Sequence, residues 1–279
     1  MKKLYSPKTV RKIMDTYGFK FSKSLGQNFL VDKNFVDKIV DAADVKNQNV
    51  IEIGPGIGTI SYEMAKIAKK VLVIEIDDSL IPILEENLGD FSNVKIIHQD
   101  VLKCDFNQIV EEEFAGEDFK LVSNLPYYIT TPIIEKLIEG RNPTDMTIMV
   151  QKEVADRMLA DENDKEYSSL SVFIKFYADA QKITNVPKSV FMPKPKIDST
   201  VLRLSLRKYD EEVDRERLFA LVKAGFNKRR KTILNSLSDV YSKDELSLAF
   251  EKVGINKTLR AENLSLDDYI NLTNVLNSK

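Results

Sequence analysis

Between Asn49 and Gly58 an apolar run closes on glycines, the pattern of a buried strand passing into a tight turn. Ile57, Ile60, Met64, Ile67 and Ala68 then recur at helical spacing and predict a helix from about Gly58. Val71-Leu72-Val73-Ile74-Glu75-Ile76-Asp77 reads as a second buried strand and Val94-Lys95-Ile96-Ile97 as a third. Blocks near 119–123 and 146–150, again separated by helical stretches, extend the alternation. The pattern predicts an α/β fold, a doubly wound, mostly parallel, seven-stranded Rossmann-like sheet with right-handed crossovers. Two more strands, near 170–178 and 199–206, lack an intervening helix and predict an antiparallel edge hairpin, with the proline-punctuated 187–198 segment as a long loop over the site.

Helices are expected over Pro7–Tyr17 and 34–43, ahead of the first strand. From Glu211 onward the pattern is helical throughout. Leu218, Leu221, Val222 and Phe226, then Leu246, Phe250 and Val253, then Leu264, Leu266, Ile270 and Leu272 mark three or four short helices. With the boundary at Tyr209-Asp210-Glu211-Glu212, the expected domains are 1–208, with an N-terminal arm, and a small all-α unit over 209–279.

Composition narrows the class. At 279 residues and 43% apolar content the chain is long enough for one large core with a smaller appended unit. No apolar stretch approaches the length of a membrane span, and Met1-Lys2-Lys3-Leu4 leads into a charged helix, so a cytoplasmic protein without a membrane partner is expected. Cys104 as the sole cysteine excludes an internal disulfide, and with His98 as the sole histidine no metal centre of the usual kind is expected.

The turn after the first strand has the chemistry of a nucleotide pocket. Gly54 and Gly56 carry no Cβ to collide with a ligand, and a helix starting near Gly58 points its amide groups at the crevice. Glu75 ends the second strand about twenty positions beyond the loop, where an acid can bind ribose hydroxyls. An ordinary βαβ unit without ligand has the same glycine turn; the acid at the strand end favours the ligand. The spacing is Gly-x-Gly-x-Gly after Glu52 rather than the dinucleotide pattern Gly-x-Gly-x-x-Gly, so an adenosine-bearing cofactor without a pyrophosphate fits better than NAD. S-adenosyl-L-methionine has that chemistry. Asp100, which follows the third strand through His98 and Gln99, is placed to accept from the adenine amine, and it also reads as a helix N-cap. Glu52 either touches the ligand or braces the turn.

Residues 121–131 read Leu-Val-Ser-Asn-Leu-Pro-Tyr-Tyr-Ile-Thr-Thr, an Asn-x-Pro-Tyr turn after an apolar strand. The exocyclic amine of adenine or cytosine is a poor nucleophile because its lone pair is delocalised into the ring. Acceptors on its N–H bonds pull that pair back. The Asn124 carbonyl and a backbone carbonyl freed by the turn can each take one N–H, Pro126 has no N–H to compete, and Tyr127 offers a face for stacking. Attack on a sulfonium methyl is then helped by positioning and by acceptors placed where positive charge grows. The turn also reads as a plain strand-to-helix connection with Thr131-Pro132 as N-cap and first helical residue.

With these residues in view the chain resembles the small-subunit ribosomal RNA adenine dimethyltransferases, the family typified by KsgA, nearly from end to end. The motifs are Ser24-Leu25-Gly26-Gln27-Asn28-Phe29-Leu30, Glu52-Ile53-Gly54-Pro55-Gly56, Asn124-Leu125-Pro126-Tyr127, Gln151-Lys152-Glu153-Val154-Ala155-Asp156-Arg157 and Phe191-Met192-Pro193-Lys194-Pro195-Lys196-Ile197-Asp198-Ser199, in the family order. The resemblance implies that Asn28, Leu30, Gly54, Glu75, Asp100 and Asn124 line an S-adenosyl-L-methionine site. It implies further that Asn124, Pro126 and Tyr127 hold the target amine, and that Phe191 sandwiches a flipped adenine opposite Tyr127. Two adjacent adenosines in a loop near the 3′ end of small-subunit (16S) rRNA would each receive two methyl groups during ribosome assembly, on the immature small ribosomal subunit, with the enzyme a monomer. The related macrolide-resistance methyltransferases share the core motifs, act on large-subunit RNA, and fit the Phe-Met-Pro-Lys-Pro-Lys segment and the C-terminal part less well.

A net charge of −2 excludes a uniformly basic RNA coat, so the position of the charges matters. From Met1 to Val40 nine lysines and arginines face three aspartates. Lys188, Lys194 and Lys196 form a second block with Lys228-Arg229-Arg230-Lys231, a run expected to open a helix and to meet phosphates, although such runs are also common on solvated faces. A base must leave its stack to be methylated, at a cost of roughly a few kcal/mol that phosphate contacts can offset. Two other functions share the sequence features: a non-catalytic RNA-binding assembly or transcription factor on the same fold, disfavoured by the intact Asn124, Pro126 and Tyr127, and a nicotinamide-dependent oxidoreductase, disfavoured by the glycine spacing.

Overall fold

The computed structural model describes residues 2–22, 25–140, 143–207, 213–228 and 230–277. Ser24 of the first motif, Arg229 of the basic run and the expected boundary at Tyr209, Asp210, Glu211 and Glu212 lie outside the described residues.

The strands are β1 (Phe29–Leu30), β2 (Asn49–Ile53), β3 (Lys70–Glu75), β4 (Val94–His98), β5 (Phe119–Asn124), β6 (Asp145–Gln151), β7 (Ala178–Val186), β8 (Phe191–Met192) and β9 (Ser199–Leu206). The helices of the first half are α1 (Pro7–Tyr17), α2 (Lys33–Ala43), α3 (Thr59–Ala65), α4 (Ile81–Leu88), α5 (Phe106–Phe114) and α6 (Thr130–Glu139). They are followed by α7 (Lys152–Leu159), α8 (Ser169–Tyr177), α9 (Arg215–Phe226), α10 (Ile233–Leu237), α11 (Lys243–Val253) and α12 (Leu266–Asn277).

Seven strands form one sheet in the order β4-β3-β2-β5-β6-β9-β7, and β1 pairs with β8 in a separate two-stranded ladder. β2, β3, β4, β5 and β6 are parallel, while β9 runs antiparallel to β6. β2 is buried along its whole length, which is why its sequence lacks the alternation of a half-exposed strand. Between β2 and β5 the strand order reverses, and the crevice at the carboxyl ends of two such strands is where open α/β sheets bind ligands. The glycine turn follows β2, and Asn124 is the last residue of β5.

The expected strand near 170–178 is instead helix α8, and the edge strand β7 begins only at Ala178. Leu170, Ser171, Val172, Phe173, Ile174, Phe176 and Tyr177 of α8 are all buried, so the helix has no polar stripe and its apolar, aromatic-rich run imitates a core strand. The 187–198 segment is tethered: β8 pairs antiparallel with β1, with Leu30 opposite Phe191, and Val31 N–H donates to Val190 O at 2.8 Å. The basic run does not open a helix. Thr232 accepts from Asn235 N–H as N-cap of α10, so Lys228, Arg230 and Lys231 fall in the connection after α9, where Lys228 pairs with Asp239.

Two compact units result, Met1–Ala155 with Gln181–Leu206, and Asp156–Ala180 with Arg207–Lys279. Residues 156–180, placed by the sequence reading in the larger domain, belong to the smaller unit, which is therefore built from two stretches of chain. Within it, Phe173, Phe176 and Tyr177 of α8 gather around Phe219 of α9 with ring centroids 5.2 to 5.8 Å from it.

In the larger unit, α4 is locked to the glycine turn by Asn87, whose buried Nδ2 donates to Ile57 O at 2.9 Å. Replacing Asn87 with Ala strands that carbonyl, so urea unfolding of the variant is expected to show a loss of about 1–3 kcal/mol.

Candidate active site

A cavity opens at the carboxyl ends of β2, β3 and β5, and its lining includes Asn28, Leu30, Gly54, Glu75, Asp100, Asn124, Pro126 and Tyr127. Its floor is the glycine turn. Gly54 and Gly56 have φ of 64° and 59°, and a Cβ on Gly56 would come within 2.8 Å of the Phe29 ring. That position therefore admits only glycine on two counts, backbone sign and space.

Asn124 is held at one end. Its Nδ2 donates to Asn28 O at 3.1 Å, while its buried Oδ1 has no hydrogen-bond partner. Asn28 is fixed in turn through its own Nδ2, which donates to Gly26 O at 2.7 Å. A buried carbonyl without a donor is costly unless a ligand completes it. Beside it, Leu125 N–H donates to Met149 O, and Pro126 O accepts from Ile129 N–H and the Thr130 hydroxyl. The helix starts at Thr130 with Ile129 as its N-cap, two residues earlier than the expected Thr131 cap and Pro132 start, and Pro132 sits within its first turn. Pro126 O, so engaged, is not a free acceptor of the turn.

Tyr127 is fixed by its hydroxyl, 2.7 Å from Ser199 Oγ; burial raises its pKa and the Ser199 bond opposes the rise. Ser199 is the last residue of the Phe-Met-Pro motif, a role invisible in the sequence because the two positions are 72 apart. Phe191 is not brought to the cavity. At 4% exposure it packs in the core with Phe29 and Leu30, because the β1–β8 ladder turns its ring inward.

The acids differ in their supports. Glu75 Oε1 accepts from Ile76 and Asp77 N–H at 2.8 and 2.9 Å, which aims the carboxyl; burial raises its pKa against those bonds. Asp100 serves as an N-cap, its Oδ1 accepting from Leu102 N–H at 3.0 Å, and it also lines the cavity. Glu52 lines it too and is braced by Ser61 of α3, whose hydroxyl donates to Oε2. Burial pushes Glu52 up to about 8, with the Glu75 charge adding and the Ser61 bonds opposing.

Three more groups escaped the sequence reading. Gln27 links the N-terminal loop to the end of β3, accepting from Ser22 N–H and donating to Asp77. Thr59 leaves a buried, unpartnered hydroxyl at the start of α3, and the half-exposed Tyr128 stands at the rim. Gln27 lay inside a recognised motif; the other two carry no local signal.

The residues fit an adenosine-bearing cation. Glycines bring backbone close, Glu75 is oriented for a diol, unpartnered oxygens wait on Thr59 and Asn124, and the described lining holds no lysine, arginine or histidine to meet a pyrophosphate. The family model described as "Ribosomal RNA adenine dimethylase" matches residues 18–278. The chain belongs to that family.

Ribosomal RNA small subunit methyltransferase A of Alkaliphilus oremlandii is 48% identical over 286 residues, covering 100% of both chains. The protein of that name from Clostridioides difficile is 46% identical, covering 100% of this chain and 99% of the relative. Among solved structures, a dimethyladenosine transferase from Plasmodium falciparum superposes with a TM-score of 0.75 at 28% identity, covering 88% of this chain and 95% of its own. The 23S rRNA methyltransferase ErmE gives 0.69 at 25%, covering 90% and 100%. The dimethylase family uses S-adenosylmethionine as methyl donor.

A carboxyl whose pKa rises on folding contributes stability that is complete below its unfolded value and is lost as pH climbs through the folded value. Glu52 therefore destabilises the free protein progressively up to its folded value of about 8. Thermal melts of Glu52→Gln against the parent are expected to show the variant gaining in relative stability as pH rises across that window.

Proposed function

We propose that this S-adenosylmethionine-dependent rRNA adenine dimethyltransferase acts on two adjacent adenosines in a loop near the 3′ end of small-subunit rRNA. It does so in the cytoplasm, as a monomer, on the immature small subunit. The observation that carries the chemistry is the buried Asn124 Oδ1, unpartnered while its Nδ2 is tied to Asn28.

Asn28, Leu30, Gly54, Glu75, Asp100 and Asn124 would hold the donor, which when bound supplies an electrophilic methyl group on sulfur. The target N6 would give one N–H to Asn124 Oδ1 and the other to Leu125 O, drawing the nitrogen lone pair out of conjugation with the ring. Tyr127, with its hydroxyl tethered to Ser199, presents a ring face that cannot swing away from the base. Forming the N6–methyl bond would break the sulfur–methyl bond, leave a neutral thioether and move the positive charge from sulfur to N6, within a cavity lined by the Glu52, Glu75 and Asp100 carboxyls. The methylated nitrogen then sheds a proton, so the chain needs no dedicated general base. A second transfer starts from a nitrogen with one N–H, and a single acceptor suffices to orient it.

Large-scale binding would rest on phosphate contacts from the basic N-terminal arm and from Arg230 and Lys231, since Lys228 is engaged with Asp239. The intact acceptor geometry favours the enzyme over a binding-only assembly factor.

Asn124→Ala is expected to abolish methyl incorporation into immature small subunits while leaving RNA affinity within about twofold, because a carboxamide does not contact phosphates. Retained turnover would remove the mechanism. Replacing Arg230 and Lys231 with Ala is expected to weaken RNA binding and flatten its salt dependence by roughly one unit of slope per lost phosphate contact, as read in titrations across salt concentrations.

A further inference from the structure

The donor cavity pairs two buried acids without a counter-charge. Glu52 and Glu75, 1% and 5% exposed, sit at the ends of the neighbouring strands β2 and β3. Asp100 completes a lining that holds no lysine, arginine or histidine among the described residues.

Several segments surround Glu52. From α3 come the Ser61 hydroxyl and N–H and the uncharged Thr59; from β3 comes the Glu75 carboxyl. The end of β5 brings the uncharged Asn124, the N-terminal loop brings Gln27 and Asn28, and Asp77 bears on Glu75. Among the described residues, all the charge here is of one sign. Neighbouring buried carboxyls cannot both ionise cheaply, so the pair retains a proton when nothing cationic is present.

We propose that Glu52 holds this proton in the free protein and that the sulfonium-bearing donor displaces it to solvent on entering the cavity. The inference rests on the reading of the cavity as the S-adenosylmethionine site. Charge balances: one proton leaves the Glu52 carboxyl as one fixed positive charge arrives. The demethylated product is a neutral zwitterion and lacks the charge that would replace the proton. Glu52 is thus a positioning residue that tells sulfonium from thioether by charge where shape differs by a single methyl group. It also gives product binding a smaller proton linkage than donor binding.

Calorimetric titration of the whole protein with S-adenosylmethionine, in two buffers of different ionisation enthalpy, reads the proton directly. Near pH 7 close to one proton is expected to be released per donor bound, shrinking toward none well above pH 8, with donor affinity rising up to about tenfold per pH unit below that range. S-adenosylhomocysteine is expected to release distinctly less. Glu52→Gln, which keeps an acceptor for Ser61, is expected to lose the Glu52 share and to flatten the affinity profile, while any proton shed by the ligand's own amino group persists in both proteins. Binding with buffer-independent heat near pH 7, or parental proton release from the Gln variant, overturns the proposal. The parental measurement stands even where the variant fails to fold. Absence of donor binding to the parent would overturn the donor reading itself and the proposal with it.

Discussion

The hydrogen bond from Asn124 Nδ2 to the Asn28 carbonyl decides which end of a carboxamide faces the cavity. Without it the side chain could present either oxygen or nitrogen, and an N–H aimed at an aromatic amine would repel it. The bond also sets the order of construction. Asn28 must be placed by its own contact with Gly26, and the loop that carries both is anchored by Gln27 to the end of β3. The orientation of the Asn124 carboxamide thus originates in a segment that precedes the sheet.

The sheet supplies what that segment cannot. Because β2 and β5 are neighbours whose connections depart in opposite directions, the glycine turn and the Asn-Leu-Pro-Tyr turn emerge side by side, and a Cβ on Gly54 would touch the Pro126 ring. On the proposed reading, donor and acceptor sites would be adjoining walls of one crevice, and in-line transfer would need no large movement of either.

Much of this was legible in the chain. The parallel strands β2, β3, β5 and β6 announce themselves as apolar runs bounded by turn residues, and the glycines, Glu75, Asp100 and Asn124 each stand at the end of a strand where side chains meet the crevice. Three things were hidden. Helix α8 lacks a polar face, so its periodicity vanished; the inward ring of Phe191 depends on a two-residue ladder with β1; and the Ser199 support of Tyr127 joins positions far apart in sequence. Each is a matter of partners, and partners across long separations leave no local imprint. The basic run misled for a smaller reason, since Thr232 rather than the lysines and arginines begins α10.

The division of the smaller unit between two stretches of chain has a practical meaning for anyone dissecting the molecule. Ending the polypeptide after β9 would delete Phe219 yet keep Phe173, Phe176 and Tyr177, uncovering a cluster of rings on the remaining fragment. Such a fragment should be sticky. The helices that follow the sheet are, in this sense, a cover for residues the chain has already committed, and cannot be pruned as an independent module.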